Sequence, residues 1–220
     1  MNQLFDVIRQ NPLLDGIAYE DYEAMSRCID ARTRRFDKGD IILLAGDPLN
    51  QIGLILSGSV IISREDVNGN TAIQAELRAP ELFAEVFACA GIDHSPVTVQ
   101  ASEKAEILFI NYRKIINTCS SACGFHARMI ENMLLLIAKK TLLLNQKIDI
   151  LSKRTTRERI LSFLDAHRGE ANKFVIPFNR EEMARYLCVD RSAMSNELGK
   201  MRDEGLIRFH KNEFELLQTD

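Results

Sequence analysis

Between Asp190 and Arg202 the sequence sets Arg191, Ser192, Ser195, Asn196, Lys200 and Arg202 on one side of a helical repeat. Met194, Leu198 and Met201 fall on the other side. All six polar side chains can donate hydrogen bonds and none is acidic. That chemistry suits a surface rich in acceptors and negative charge, such as phosphate oxygens and base edges, where Arg191 would pair with a guanine through two hydrogen bonds. A solvated helix face has the same composition in many proteins, so the neighbouring elements decide.

Just upstream, Asn179–Leu187 has the pattern of a shorter helix. Asn179 can cap it, Glu182 completes a capping-box pattern, and Met183, Ala184 and Leu187 supply a buried side. Asp190 can cap the second helix, which leaves only Cys188 and Val189 for the turn. Downstream, Gly205 can end the second helix; Leu206–Phe209 and Phe214–Leu216 alternate as strands, with Lys211–Asn212 as the turn between them. Two helices across a tight turn, followed by a hairpin, form a winged helix-turn-helix whose second helix enters a major groove of double-stranded DNA. The candidate DNA contacts are Asn179, Arg180, Arg191, Ser192, Ser195, Asn196, Lys200 and Lys211.

The chain has 220 residues and is 46% hydrophobic, enough for two compact domains. The net charge of -3 does not suggest nucleic acid, but its distribution does. Residues 153–211 carry 13 Lys and Arg against 9 Asp and Glu, whereas residues 1–152 carry 15 against 19. A weakly basic unit joined to an acidic one fits a regulator whose other half need not attract phosphate. No apolar run approaches the roughly 20 residues that span a bilayer. The first residues lack the basic and apolar segments of a signal peptide, so a cytoplasmic protein is expected. Five scattered cysteines, an odd number, argue against a disulfide framework.

Residues 1–30 read as short helices. From Arg32 to Ile110, strand-like runs alternate with turns: Ile41–Leu44, Ile52–Leu56, Val60–Ile62, Val97–Val99 and Glu106–Ile110, with Asn68-Gly69 the strongest hairpin signal. Such a series indicates a barrel or roll. Residues Pro80–Gly91 read as a short helix inserted in it, either plugging one end or lining a small-molecule cavity. Gly124–Ser152 lacks proline and reads as one long helix. On it Ile130, Leu134, Ile137, Thr141, Leu144, Ile148 and Leu151 follow a four-three spacing, a coiled-coil seam that predicts a homodimer. The expected organisation is a roll over 1–123, a dimerisation helix over 124–152 and a DNA-binding domain over 153–220.

This order resembles the Crp–Fnr family of bacterial transcription regulators. The resemblance rests on Phe36-Asp37-Lys38-Gly39-Asp40 with Gly46, Gly53 and Gly58; on Phe83-Ala84-Glu85-Val86; and on Val189–Leu198 with Asp203-Glu204-Gly205-Leu206-Ile207. It implies an α+β fold: an N-terminal double-stranded β-roll of the cyclic-nucleotide-binding, jelly-roll type, a long dimer helix and a C-terminal winged helix-turn-helix. It also implies contact with RNA polymerase.

The departures are specific. Glu85 matches a ribose-binding glutamate, but the Arg-Ser pair that holds a cyclic nucleotide's phosphate falls at Ser95-Pro96. Neither residue supplies a cation, and Pro96 has no N–H. Cyclic AMP is therefore not expected. The expected effector is a small organic molecule, contacted by Phe83, Glu85, Val86, Phe87, Leu144 and Asn145. No cysteine precedes Cys28, which disfavours an oxygen-sensing iron–sulfur cluster. Cys119-x-x-x-Cys123 offers too few ligands for a structural zinc, so no metal is expected. His94 and His126 could ligate haem but read as isolated loop and surface residues. A redox- or haem-sensing regulator of this type is the alternative, as is a nucleotide-binding module without DNA binding. An enzyme is disfavoured: metal-dependent rolls need clustered His and carboxylate ligands, and only four histidines exist.

Overall fold

The computed structural model describes residues 3–66, 68–117, 124–169 and 171–217, and the side chains among them from residue 6 onward. The chain divides into two compact units, 1–138 and 139–220. The first opens with two helices, α1 (Gln3–Ile8) and α2 (Tyr19–Cys28). Asn11 lies buried between them, where its side-chain oxygen accepts from the Leu13 N–H and its amide donates to the Pro80 carbonyl.

Eight strands follow: β1 (Arg32–Phe36), β2 (Ile41–Leu43), β3 (Gln51–Ser57), β4 (Ser59–Glu65), β5 (Thr71–Arg78), β6 (Leu82–Phe83), β7 (Thr98–Ala101) and β8 (Ala105–Asn111). They form two antiparallel four-stranded sheets, ordered β1-β8-β3-β6 and β2-β7-β4-β5. The β-roll expected from the strand spacing is thus the observed architecture. Its core holds Ile55, Val60, Val99 and Ile107, all fully buried. The Asn68-Gly69 signal joins β4 to β5: Asp66 accepts from the Asn68 and Asn70 N–H groups, and Gly69 takes the positive φ.

The inserted segment is not the single helix that the sequence suggests. Leu82 and Phe83 form β6 and pair with Leu54 and Gly53 of β3, and only Glu85–Cys89 is helical (α3). Ala84, at φ 68, breaks the chain between the two. Gly53 makes this possible. A Cβ there would lie 2.0 Å from the Phe83 ring, so the ring occupies the volume of a missing side chain.

After α4 (Tyr112–Ile116), helix α5 runs for 29 residues over Gly124–Ser152. Its early turns pack on the roll through Phe125, Met129 and Met133, and the buried Asn132 amide donates to the Leu13 and Asp15 carbonyls. Among the described residues no helix is long and apolar enough to cross a membrane.

The second unit adds α6 (Thr156–Arg168), β9 (Lys173–Val175), α7 (Arg180–Tyr186), α8 (Arg191–Asp203), β10 (Ile207–His210) and β11 (Glu213–Leu216). Thr155 and Glu158 close a capping box on α6. The sheet order is β10-β11-β9. The core gathers Ile150, Ile160, Phe163, Met183, Leu187, Met194, Leu198, Met201 and Phe214.

Replacing Gly53 with Ala should overpack the roll at a cost of about 1–3 kcal/mol. Thermal or denaturant unfolding checks this, and in a Phe83→Ala background the cost should largely vanish. An equal cost in both backgrounds would show that the ring contact is not what requires glycine.

Candidate DNA interface and effector domain

The expected helix-turn-helix is built as its capping residues predict. Asn179 accepts from the Glu181 and Glu182 N–H groups, and the Glu182 carboxylate accepts from the Asn179 N–H at 2.7 Å. Leu187 ends α7, Cys188 takes the left-handed backbone of the turn at φ 53, and Asp190 caps α8 through the Ala193 N–H. Met194, Leu198 and Met201 are buried to within 1% of complete. With that stripe fixed, the opposite face of α8 must face outward.

Arg157 of α6 ties α8 in place. Its Nε donates to Glu197 at 2.6 Å, and its two Nη atoms donate to Glu204 at 2.6 and 2.8 Å. These bonds raise the guanidinium's pKa further and hold the Glu204 carboxyl below its ordinary value. Asp190 is lowered likewise, first by the Ser192 hydroxyl and then by the Ala193 N–H. Because both carboxyls are depressed, their contacts contribute at neutral pH and are lost as pH falls through their folded-state pKa values.

The donor residues singled out in the sequence divide by what already holds them. Ser192 donates to the Asp190 cap, Lys200 lies 3.8 Å from Glu197, and Arg202 pairs with Asp203. Arg191, Ser195 and Asn196 are exposed, and among the described residues no carboxylate pairs with Arg191. Arg180 is half-buried, its guanidinium 4.8 and 4.9 Å from the Phe209 and Phe214 ring centres. Burial lowers its pKa. It lines a ≈430 Å³ cleft with Asn179 and Lys211, the residue at the tip of the β10–β11 wing. Arg180 therefore fastens the wing to α7 as well as adding charge there. Arg157 and the third strand, β9, were not singled out from the sequence. An S/T-x-x-E capping pattern at Thr155 marks the start of α6 and would have placed Arg157 on it.

In the roll, Phe83 and Glu85 are buried, Phe87 is half-buried and Val86 is exposed. Leu144 and Asn145, in the second unit, are exposed. Ser95 is 3% exposed, and its hydroxyl donates to the Val97 carbonyl at 2.7 Å while its backbone bonds Gly46 and Asp47. His94 is exposed as expected, but His126 is not a surface residue. It is 1% exposed on the first turn of α5, with Nε2 3.1 Å from the Lys114 carbonyl and 3.7 Å from Cys28 Sγ. Its aromatic neighbour Phe125 and the short element α4 enclose it, a burial that a single His in an unpatterned stretch does not announce. Cys119 and Cys123 lie outside the described residues. Among the described residues no three His, Cys, Asp or Glu side chains group as a metal ion requires.

Comparison with known proteins matches residues 33–122 to the cyclic nucleotide-binding domain and residues 158–220 to the Crp-like helix-turn-helix domain. The chain belongs to the Crp–Fnr family of transcription regulators. The transcriptional activator FnrA of Stutzerimonas stutzeri is 22% identical over 209 residues, covering 91% of this chain and 82% of that protein. The activator anr of Pseudomonas aeruginosa is 22% identical over 213 residues, covering 93% and 84%. The fold matches the Thermus thermophilus catabolite activator protein with a TM-score of 0.54 at 23% identity, over 94% of this chain and 93% of that one. It matches DNR from Pseudomonas aeruginosa with a TM-score of 0.53 at 16% identity, over 99% and 96%. The domains and relatives of this Crp–Fnr member are those of a DNA-binding regulator, not of an enzyme.

Arg191→Ala should cost about 1–3 kcal/mol at one base pair and relax preference there. Competition binding against duplexes varied at each position checks this. Equal weakening on every sequence would place Arg191 on a phosphate instead.

Proposed function

We propose that this Crp–Fnr regulator acts as a homodimer on a palindromic DNA site, under control of a small effector other than cyclic AMP. The observation that carries the dimer is the uncovered apolar surface of α5. Leu134, Leu144 and Ile148 are each more than 60% exposed on a helix whose buried side already meets its own core. Two seam positions expected from sequence, Ile130 and Ile137, pack on that core. The pairing surface therefore centres on Leu134, Leu144 and Ile148, with Thr141 beside them. A second copy pairing along this stripe relates the two α8 helices by a two-fold axis, as a palindrome requires. Arg191, Ser195 and Asn196 then read bases, with Asn179, Arg180, Lys200, Ser192 and Lys211 at its margins. Contact with RNA polymerase follows from the family.

The effector reading rests on the roll. A cyclic nucleotide's phosphate requires a cation or several free N–H donors. Ser95 has its hydroxyl committed to Val97, Pro96 has no N–H, and the buried Glu85 lies close by in sequence.

Leu134→Glu and Ile148→Glu should each place paired carboxylates in an apolar interface, which is costly. Sedimentation should then show monomer, and gel-shift affinity should fall with it. An unchanged dimer would remove the stripe from the interface. Calorimetry with cyclic AMP should show no binding at millimolar concentration; micromolar binding would overturn this reading of the roll.

A further inference from the structure

The roll contains a cavity of ≈350 Å³ on the inner side of its β1-β8-β3-β6 sheet. Its floor is apolar: Phe83, Phe109, Ile42, Leu43 and Leu49. Of the expected effector contacts it includes Phe83 alone, and neither Glu85 nor Ser95 lines it. Its size falls within the range of small-molecule sites.

Strand β1 carries three arginines near one another. Arg32 is paired with Asp30 at 3.0 Å and Arg35 with Glu106 at 2.9 Å. Arg34 lines the cavity, and among the described residues it has no carboxylate partner. Its guanidinium lies over the Phe109 ring, 5.5 Å from the centroid. A guanidinium held on an aromatic face keeps its N–H edge available for a planar, two-point acceptor. The lining has no acidic residue; its other polar side chains are the amides of Asn50, Gln51 and Asn111. The Asn111 oxygen is taken by the Arg113 N–H, which leaves its NH2 group as a donor.

We infer that this cavity binds a small organic monocarboxylate: the acid group on Arg34, an apolar or aromatic body on Phe83 and Phe109, and the amides on any further polar group. One cation with an apolar floor matches a singly charged carboxylate better than a phosphate, which calls for more donors. The inference rests on the effector-controlled reading for its consequence at DNA, but not for binding itself.

An NMR titration of the full chain with benzoate tests it. Benzoate should shift the Phe83 and Phe109 ring signals saturably in the millimolar range. Benzamide, which has the same body without the charge, should bind about tenfold more weakly or less. Arg34→Met should abolish the effect, Arg34→Lys should weaken it, and Arg32→Met should leave it unchanged. Absence of a saturable shift, equal binding of the amide, or unaltered binding by the Arg34 variants would each overturn the site. Gel-shift titration with benzoate on a DNA duplex that the protein selects separates the two ideas. Benzoate binding that leaves DNA affinity unchanged supports the site and removes effector control through it.

Discussion

Burial of one apolar stripe on α8 determines the direction of the donor side chains that this helix can offer to DNA. Met194, Leu198 and Met201 have almost no exposed surface, and burying each is worth roughly 1.5–3 kcal/mol. Rotating α8 about its axis would expose that stripe and bury Arg191 or Asn196 without partners, so the helix has one stable orientation. The Asp190 cap sets where the helix begins, and Arg157 grips Glu197 and Glu204 from α6. A flexible loop could present the same residue types, but it could not hold Arg191 and Asn196 at a fixed spacing. The same economy separates roles on that face. Ser192, Lys200 and Arg202 already meet carboxylates of their own helix or its cap, while Arg191, Ser195 and Asn196 remain for a ligand.

The second unit was the more legible because its signals are local. Asn179 with Glu182, Asp190 ahead of an apolar repeat, and Lys211-Asn212 between two alternating runs each specify their element within a few residues. Strand β9, three residues long and only half-buried at its centre, has no such signal. It exists because Phe174 pairs with Phe214, forty residues away. In the first unit the strands appear in order, yet the segment after Pro80 departs from its expected helix for a related reason. Leu82-Phe83-Ala84-Glu85 has good helical propensity, but pairing of Phe83 with Gly53 converts its first half to strand. Long-range packing overrides propensity there. The burial of His126 is not legible in the sequence because it involves Cys28, distant in the chain. The seam on α5 was read as one stripe, whereas the structure assigns Ile130 and Ile137 to the subunit's own core. A heptad pattern shows that one side of a helix is apolar but not which neighbour covers each part.

These features connect the two halves of function through chemistry that differs between them. The roll encloses an apolar core that admits Glu85, while Arg34 stays exposed at the cavity edge. The winged unit is a small core that exists to orient donors outward. In the proposed homodimer one such donor face would become two, and recognition of a palindrome would follow from two-fold symmetry rather than from any added contact. Selection of bound duplexes from a random-sequence pool tests this most directly. A two-fold dimer should enrich inverted repeats whose half-site centres lie about one helical turn, roughly 10 base pairs, apart. Enrichment of a single asymmetric half-site would contradict it.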